Sequence, residues 1–123
     1  ESIYFPKNKK AFIEGDGKQS RDFCYIDNVV SANILAMQCK RDLKGEVFNI
    51  AHGERTVVND IKDMIEKNTG KKIDLEKRPK RKGDVLHTHA DISKAYKFLG
   101  YKPKIKFEEG LKKTVEWFEG RKK

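Results

Sequence analysis

The chain has 123 residues, a formal net charge of +9 and a pI near 9.5, with 37% hydrophobic and 38% charged residues. This length suits one domain with a modest core, and the positive charge favours an anionic partner: nucleic acid, an acidic membrane surface or a phosphorylated small molecule. No apolar run approaches the ~18 residues of a membrane span and the first residues are not those of a signal peptide, so we expect a cytoplasmic protein without membrane contact, its two cysteines reduced.

The first predicted elements are two short strands. Residues 10–15, KAFIEG, and 21–26, RDFCYI, are rich in apolar and aromatic residues, which is typical of strands. Gly15 and Gly17 lie in the turn between them, so a hairpin or a pair of neighbouring strands is expected. The turn is similar to the phosphate-binding G-x-G-x-x-G pattern, but Ser20 stands where the third glycine belongs. Because a strand follows, we expect no helix N-terminus to be directed at this turn.

A helix and a buried strand are predicted next. The helix covers 27–39 with Asp27 as its N-cap. Its apolar stripe is formed by Val30, Ile34 and Met37. Residues 46–51, EVFNIA, are a continuous apolar run, which is typical of a parallel-type strand buried on both faces. Because a small module cannot cover both faces of such a strand, the run predicts a larger sheet that accepts it.

Three further helices and one weak strand complete an α/β order. The helices are predicted over 57–69, 92–99 and 107–118, and the strand within 72–79. Two of these helices carry start and stop signals, which are Thr56 and Gly70 for the first and Asp91 and Gly100 for the second.

Arginines and lysines around these elements are candidates for anion binding. Arg21 lies between a tight turn and a strand, where a guanidinium can offer two donors to a phosphate; a surface ion pair with Asp22 or Asp27 is the alternative. The run 78–82, RPKRK, suits a nucleic-acid patch, a diphosphate or a solvated loop.

The histidines are weaker candidates. His87, His89 and Asp91 alternate along the chain, but three ligands without a second cluster do not predict a zinc site, and Asp91 is better used as a helix cap. His52 follows the predicted buried strand, where ligands often bind in α/β sheets, although it also fits an ordinary loop. We expect no metal.

Four motifs in order are similar to the carboxyl-terminal part of extended short-chain dehydrogenases/reductases, specifically nucleotide-sugar epimerases. They run from Phe12 to Phe118 and read GDGKQSRDFCYID, GEVFNIAHGERT, RKGDVLHTHADISKAYKFLGYKP and FEEGLKKTVEWF. UDP-N-acetylglucosamine and UDP-glucose 4-epimerases are the most similar in the first and third motifs. dTDP-glucose dehydratases and UDP-glucuronate epimerases or decarboxylases are more distant. The resemblance implies an α/β fold, the substrate-binding part of a Rossmann-type enzyme with short strands and about four helices.

The resemblance also implies a substrate site. Arg21 and Arg81 are expected on the diphosphate of a UDP-sugar, and Asp84 on the ribose hydroxyls, where a carboxylate can accept hydrogen bonds from a diol. Four more residues are expected to border the substrate, namely Phe23, Thr56, His87 and Thr88. The glycine turn then belongs to the substrate side and does not hold NAD.

The chain departs from the family pattern in the parts that carry catalysis. It contains no complete glycine motif, and none of its four tyrosines has a lysine four residues later. The resemblance therefore implies a carboxyl-terminal nucleotide-sugar-binding domain over 1–123, without catalytic or cofactor-binding residues. NAD is expected in the full-length enzyme, bound by an amino-terminal Rossmann half that is absent here, and not by this chain alone.

Two alternatives and the expected partners complete the prediction. A small basic module for RNA or another polyanion is the first alternative, but the run RPKRKGD has no aromatic residue on which a base could stack. A fragment of a related dehydratase or decarboxylase is the second. We expect a UDP-sugar and the Rossmann half as partners, with a homodimer or other self-association, and no nucleic acid.

Overall fold

The computed structural model describes residues 10–121, which form four helices and four short strands. The helices are α1 (Ile26–Gln38), α2 (Val58–Thr69), α3 (Ser93–Leu99) and α4 (Phe107–Gly120). The strands are β1 (Ala11–Glu14), β2 (Ser20–Arg21), β3 (Thr56–Val57) and β4 (Leu75–Arg78). This mixed order confirms the predicted α/β class with about four helices. No helix within 10–121 combines the length and apolarity needed to cross a membrane.

Glycine stops end two helices as predicted. Gly70 and Gly100 follow α2 and α3 in the left-handed conformation, with φ of 66° and 69°. This conformation favours glycine because it has no Cβ. At the start of α3, Ile92 holds the N-cap position instead of the predicted Asp91, whose carboxylate accepts a hydrogen bond from Ser93 N at 2.8 Å. Hydrogen bonds from Ser93 lower the pKa of Asp91.

The predicted caps of α1 and α2 are wrong. Tyr25 and Val57 hold the N-cap positions, and neither makes a side-chain cap hydrogen bond. Asp27 lies inside the first turn of α1, and Thr56 belongs to β3. The start of α1 is fixed instead by the adjacent Asn28, which is 2% exposed. Its side-chain amide makes three hydrogen bonds of 2.8–3.0 Å with the backbone of 104–105, so tertiary contacts override the local cap signal.

The predicted hairpin is also wrong. β1 pairs in parallel with β4, and β2 pairs antiparallel with β3, so the two strands around the glycine turn lie in different sheets. The strand expected over 21–26 pairs only at its first residue, because the chain leaves the ladder at Asp22 and α1 begins at Ile26.

Residues 46–51 do not pair as a strand with any described residue, which corrects the prediction of a parallel strand. A ladder needs a partner strand, and none lies beside this segment in the described part of the chain. Phe48 and Ile50 pack against the core, whereas Val47 before them is 78% exposed and Asn49 between them is also exposed. The alternation therefore has one covered face and one open face.

The core lies between α1, α3 and the turn after α3. Its buried members are Ala32, Ala95, Leu99 and Tyr101. The Tyr101 hydroxyl donates to Ala51 O at 2.8 Å, and burial raises the pKa of this phenol. Cys24 and Cys39 are partly buried free thiols.

The apolar stripe predicted for α1 faces outward. Val30, Ile34 and Met37 are 47%, 46% and 86% exposed, and Ile26 extends the stripe at 58% exposure. α1 carries apolar residues on two faces. The face around Ala32 contacts the core, and the exposed stripe lies on the opposite face. Periodicity alone could not show which side would be covered.

Candidate functional site

β2 lies between two other segments of the chain. On one edge it pairs with β3. On the other edge Ser20 N donates to Leu86 O at 2.9 Å, and Thr88 N donates to Ser20 O at 3.1 Å. These contacts bring together four residues predicted for the substrate site, which are Arg21, Thr56, His87 and Thr88.

A fifth predicted residue, Asp84, contacts Arg21 directly. Arg21 Nη2 donates to Asp84 Oδ1 at 2.6 Å, and the two side chains are 26% and 25% exposed. Arg21 Nη1 donates to Ser20 O at 2.8 Å and more weakly to Leu86 O at 3.4 Å. A guanidinium has five N–H donors, so Nε–H and one Nη2 hydrogen remain for an anionic ligand. Arg21 therefore pairs with Asp84, and not with Asp22 or Asp27, which were the alternatives.

Asp22, which the sequence offered only as a partner for Arg21, organises the site through the backbone. Its carboxylate accepts hydrogen bonds from His52 N at 3.0 Å, from Gly53 N at 3.1–3.2 Å and from Ala90 N at 3.4 Å. One side chain thus joins the end of β2 to two loops that are distant in sequence. The signal that sequence reasoning passed over was an aspartate inside an otherwise apolar run.

Arg81 and Phe23 lie apart from this contact network. Arg81 is 71% exposed and pairs with Glu14 at 2.8 Å. Its backbone carbonyl accepts a hydrogen bond from Asp84 N at 3.1 Å, so it shares a turn with the site. The Phe23 ring packs against Phe107 of α4 with 5.3 Å between ring centroids.

The glycine turn rests on the start of α2. Val58 N donates to Gln19 O and Asn59 N donates to Gly17 O, each at 3.0 Å. The expectation that no helix N-terminus would be directed at the turn is therefore wrong, because α2 reaches it from a later part of the sequence. Gly17 has φ of 79°, and a Cβ there would collide with the Asn59 side chain. The carbonyls of the turn accept hydrogen bonds from these two helix amides. The amides are therefore not available to a phosphate.

The side chains considered for zinc have separate partners. His87 Nδ1 lies 2.8 Å from Ser20 Oγ, and His89 Nε2 donates to Gly53 O at 2.9 Å. In residues 10–121, no group of three or more metal-ligating side chains is found.

The remaining histidine candidate, His52, is buried. Its Nδ1 has no hydrogen-bond partner in the described part of the chain, and its nearest acidic atom is Glu54 Oε2 at 3.8 Å. His52 lines a groove with His89, Tyr96 and Lys102. This groove contains none of the seven residues predicted to contact substrate.

The model of the GDP-mannose 4,6 dehydratase family matches residues 3–114. The UDP-glucuronate 4-epimerase of Thermodesulfobacterium geofontis is 42% identical over 116 residues, which cover 94% of this chain and 34% of that protein.

Solved structures give the same result. The UDP-glucose 4-epimerase of Thermotoga maritima with UDP-glucose superposes with a TM-score of 0.83 at 43% identity, covering 95% of this chain and 37% of that chain. The UDP-glucuronic acid 4-epimerase of Bacillus cereus, in complex with UDP-glucuronic acid and NAD, gives a TM-score of 0.85 at 34% identity over 94% of this chain and 37% of that chain. The chain thus spans about a third of the length of these relatives. UDP-glucuronate 4-epimerases are as similar to it as UDP-glucose 4-epimerases, which corrects the placement of these epimerases as more distant.

Proposed function

Because the chain belongs to the GDP-mannose 4,6 dehydratase family, we propose that it is the nucleotide-sugar-binding part of an NAD-dependent UDP-sugar 4-epimerase. The relatives named above are UDP-sugar 4-epimerases, and this supports epimerisation over dehydration or decarboxylation. In the whole enzyme, NAD supplies hydride transfer at the sugar. Residues outside these 123 would hold it, and we expect no epimerase activity from this chain alone.

The observation that carries the proposal is the contact between Arg21 and Asp84 beside β2. Each side chain neutralises the other at 2.6 Å. A diphosphate would bind the remaining Arg21 donors, and the Asp84 carboxylate would turn to the ribose hydroxyls. Thr56, His87 and Thr88 would border the nucleotide. Arg81, mostly exposed, would leave Glu14 to reach the phosphates, while Phe23 would support the site by packing on α4.

A surface of α1 supports the proposal of an NAD-binding partner domain. The stripe of Ile26, Val30, Ile34 and Met37 is 46–86% exposed, and Val47 on the unpaired segment 46–51 is 78% exposed. Apolar surface of this extent marks contact sites, and unpaired strand-like segments accept further strands. We propose that both pack against the Rossmann half, and that without it copies of this chain associate with each other.

Calorimetry with UDP tests the binding role. We expect UDP to bind the chain weakly, and Arg21→Ala to weaken binding by about 10- to 150-fold, since a charge-assisted contact contributes about 1.5–3 kcal/mol. Arg81→Ala should cost less because its side chain is exposed. The matched control is Arg41→Ala, which removes the same charge beside Phe98. Equal losses in Arg21→Ala and Arg41→Ala would contradict the proposal, and tight, steeply salt-dependent binding of mixed RNA would favour a polyanion module.

Sedimentation at about 100 μM chain tests the association surface. Ile34→Glu and Met37→Glu should each reduce self-association, because they place a charge on the exposed stripe. Asn68→Glu is the control, since it adds the same charge at an exposed position of a different helix, α2. A parent chain that is monomeric at this concentration would contradict the proposal.

A further inference from the structure

Ser20 holds two of the candidate binding side chains. Its backbone carbonyl accepts a hydrogen bond from Arg21 Nη1 at 2.8 Å, and its Oγ lies 2.8 Å from His87 Nδ1. The residue is 3% exposed, whereas His87 is exposed. A buried residue thus orients an exposed imidazole from one side of its ring.

The burial of Ser20 determines which nitrogen of His87 carries the proton. A buried hydroxyl hydrogen needs an acceptor, and His87 Nδ1 is the one partner of Ser20 Oγ among the described residues. Ser20 therefore donates to Nδ1, so in the neutral ring the proton is on Nε2. Nε2 makes no hydrogen bond with the described residues, so it is a donor without a partner on an exposed ring.

The ion pairs around the site indicate a role for the His87 Nε2–H donor. Arg21 and Arg81, the two arginines predicted to bind a diphosphate, are each paired with a carboxylate, from Asp84 and Glu14. His87 Nε2–H has no such competitor among the described residues. An arriving anion can accept its hydrogen bond without displacing an ion pair.

We propose that Ser20 is a positioning residue that fixes the Nε2–H tautomer of His87, and that His87 thereby donates a hydrogen bond to a phosphate oxygen of the ligand. This inference rests on the proposed function and adds to it a donor and the residue that orients it. It also explains why a polar side chain is buried at the first position of β2.

Nitrogen NMR of the 123-residue chain tests the positioning step without ligand. The spectra are recorded at about pH 8.5, where an ordinary histidine is neutral. The signals of the three histidines are assigned with a His87→Gln and a His89→Gln variant. His89 is an internal reference. Its Nε2 lies 2.9 Å from Gly53 O, and because a carbonyl oxygen can only accept, Nε2 must be the protonated nitrogen of His89. We expect His87 to match His89 in the parent and in Ser20→Thr, and to become a tautomer mixture in Ser20→Ala.

Titration with inorganic pyrophosphate and with UDP tests the donor step. Ser20→Ala should raise the Kd for pyrophosphate about three- to tenfold, which is the usual contribution of one hydrogen bond, and Ser20→Thr should restore it. Two results would overturn this inference and leave the proposed function intact. They are an Nδ1–H tautomer of His87 in a parent chain that binds UDP, and a Ser20→Ala chain whose His87 tautomer and affinity are unchanged. A parent chain that binds neither UDP nor pyrophosphate overturns the proposed function, and the donor role with it.

Discussion

Replacing Asp22 by alanine should destabilise the chain strongly. The Asp22 carboxylate accepts two short hydrogen bonds, from His52 N at 3.0 Å and Gly53 N at 3.1 Å, and a long one from Ala90 N at 3.4 Å. Charge-assisted hydrogen bonds contribute about 1.5–3 kcal/mol each, and neighbouring ones are not additive, so we expect a loss of about 3 kcal/mol in the free energy of unfolding. Domains of this size are stable by only about 5–15 kcal/mol, so the loss should be large enough to measure easily.

Urea unfolding measures this loss. The midpoint should fall with an unchanged slope, because the same surface is exposed on unfolding. Asp63→Ala is the control, because it removes the same charge from a side chain that is 77% exposed and whose one ion pair within residues 10–121 is with Lys62 at 3.7 Å. We expect its effect to be under about 0.5 kcal/mol. If Asp22→Ala lies within about 1 kcal/mol of the parent, the carboxylate does not join the loops as described.

Two further predictions concern Glu66 and Gly110. The backbone N–H of Ile73 and the Lys62 ammonium lower the pKa of Glu66 to about 2, so its stabilisation should be present above the ordinary value of 4.5 and be lost as the pH falls towards 2. Urea midpoints across that window should fall less in Glu66→Gln than in the parent; equal slopes would contradict the assignment. Gly110→Ala should destabilise the chain, because the new Cβ would lie 2.7 Å from Tyr25 Cβ, whereas Gly120→Ala meets open space and should not. Equal melting temperatures for the two alanine variants would contradict this close packing.

Local signals predicted the helices well. The helices predicted over 107–118 and 57–69 correspond to Phe107–Gly120 and Val58–Thr69. Their signals are apolar periodicity and, for the second helix, a terminal glycine, and both depend only on residues that are close in sequence. Strand pairing was predicted poorly. Phe12 pairs with Glu76 across a parallel ladder, and no pattern within the glycine turn points to that partner.

The site shows the same division between local and distant information. Arg21 could be picked out from its neighbours, but its partner Asp84 lies 63 residues later and came only from the family resemblance. The role of Asp22 was missed because its three donors are backbone amides, which carry no residue-type signal. The outward face of α1 was missed because burial depends on what packs beside the helix.

Amide chemical-shift mapping of the chain with UDP tests the central claim most directly. The account predicts that the largest shifts cluster in three segments that are distant in sequence and adjacent in the structure, namely 20–22, 56–57 and 84–88. The basic end of α2, around Lys67, Lys71 and Lys72, should stay unchanged although it is also positively charged. Shifts spread over the lysine-rich surface, or centred on that end of α2, would contradict a nucleotide-sugar site built around β2.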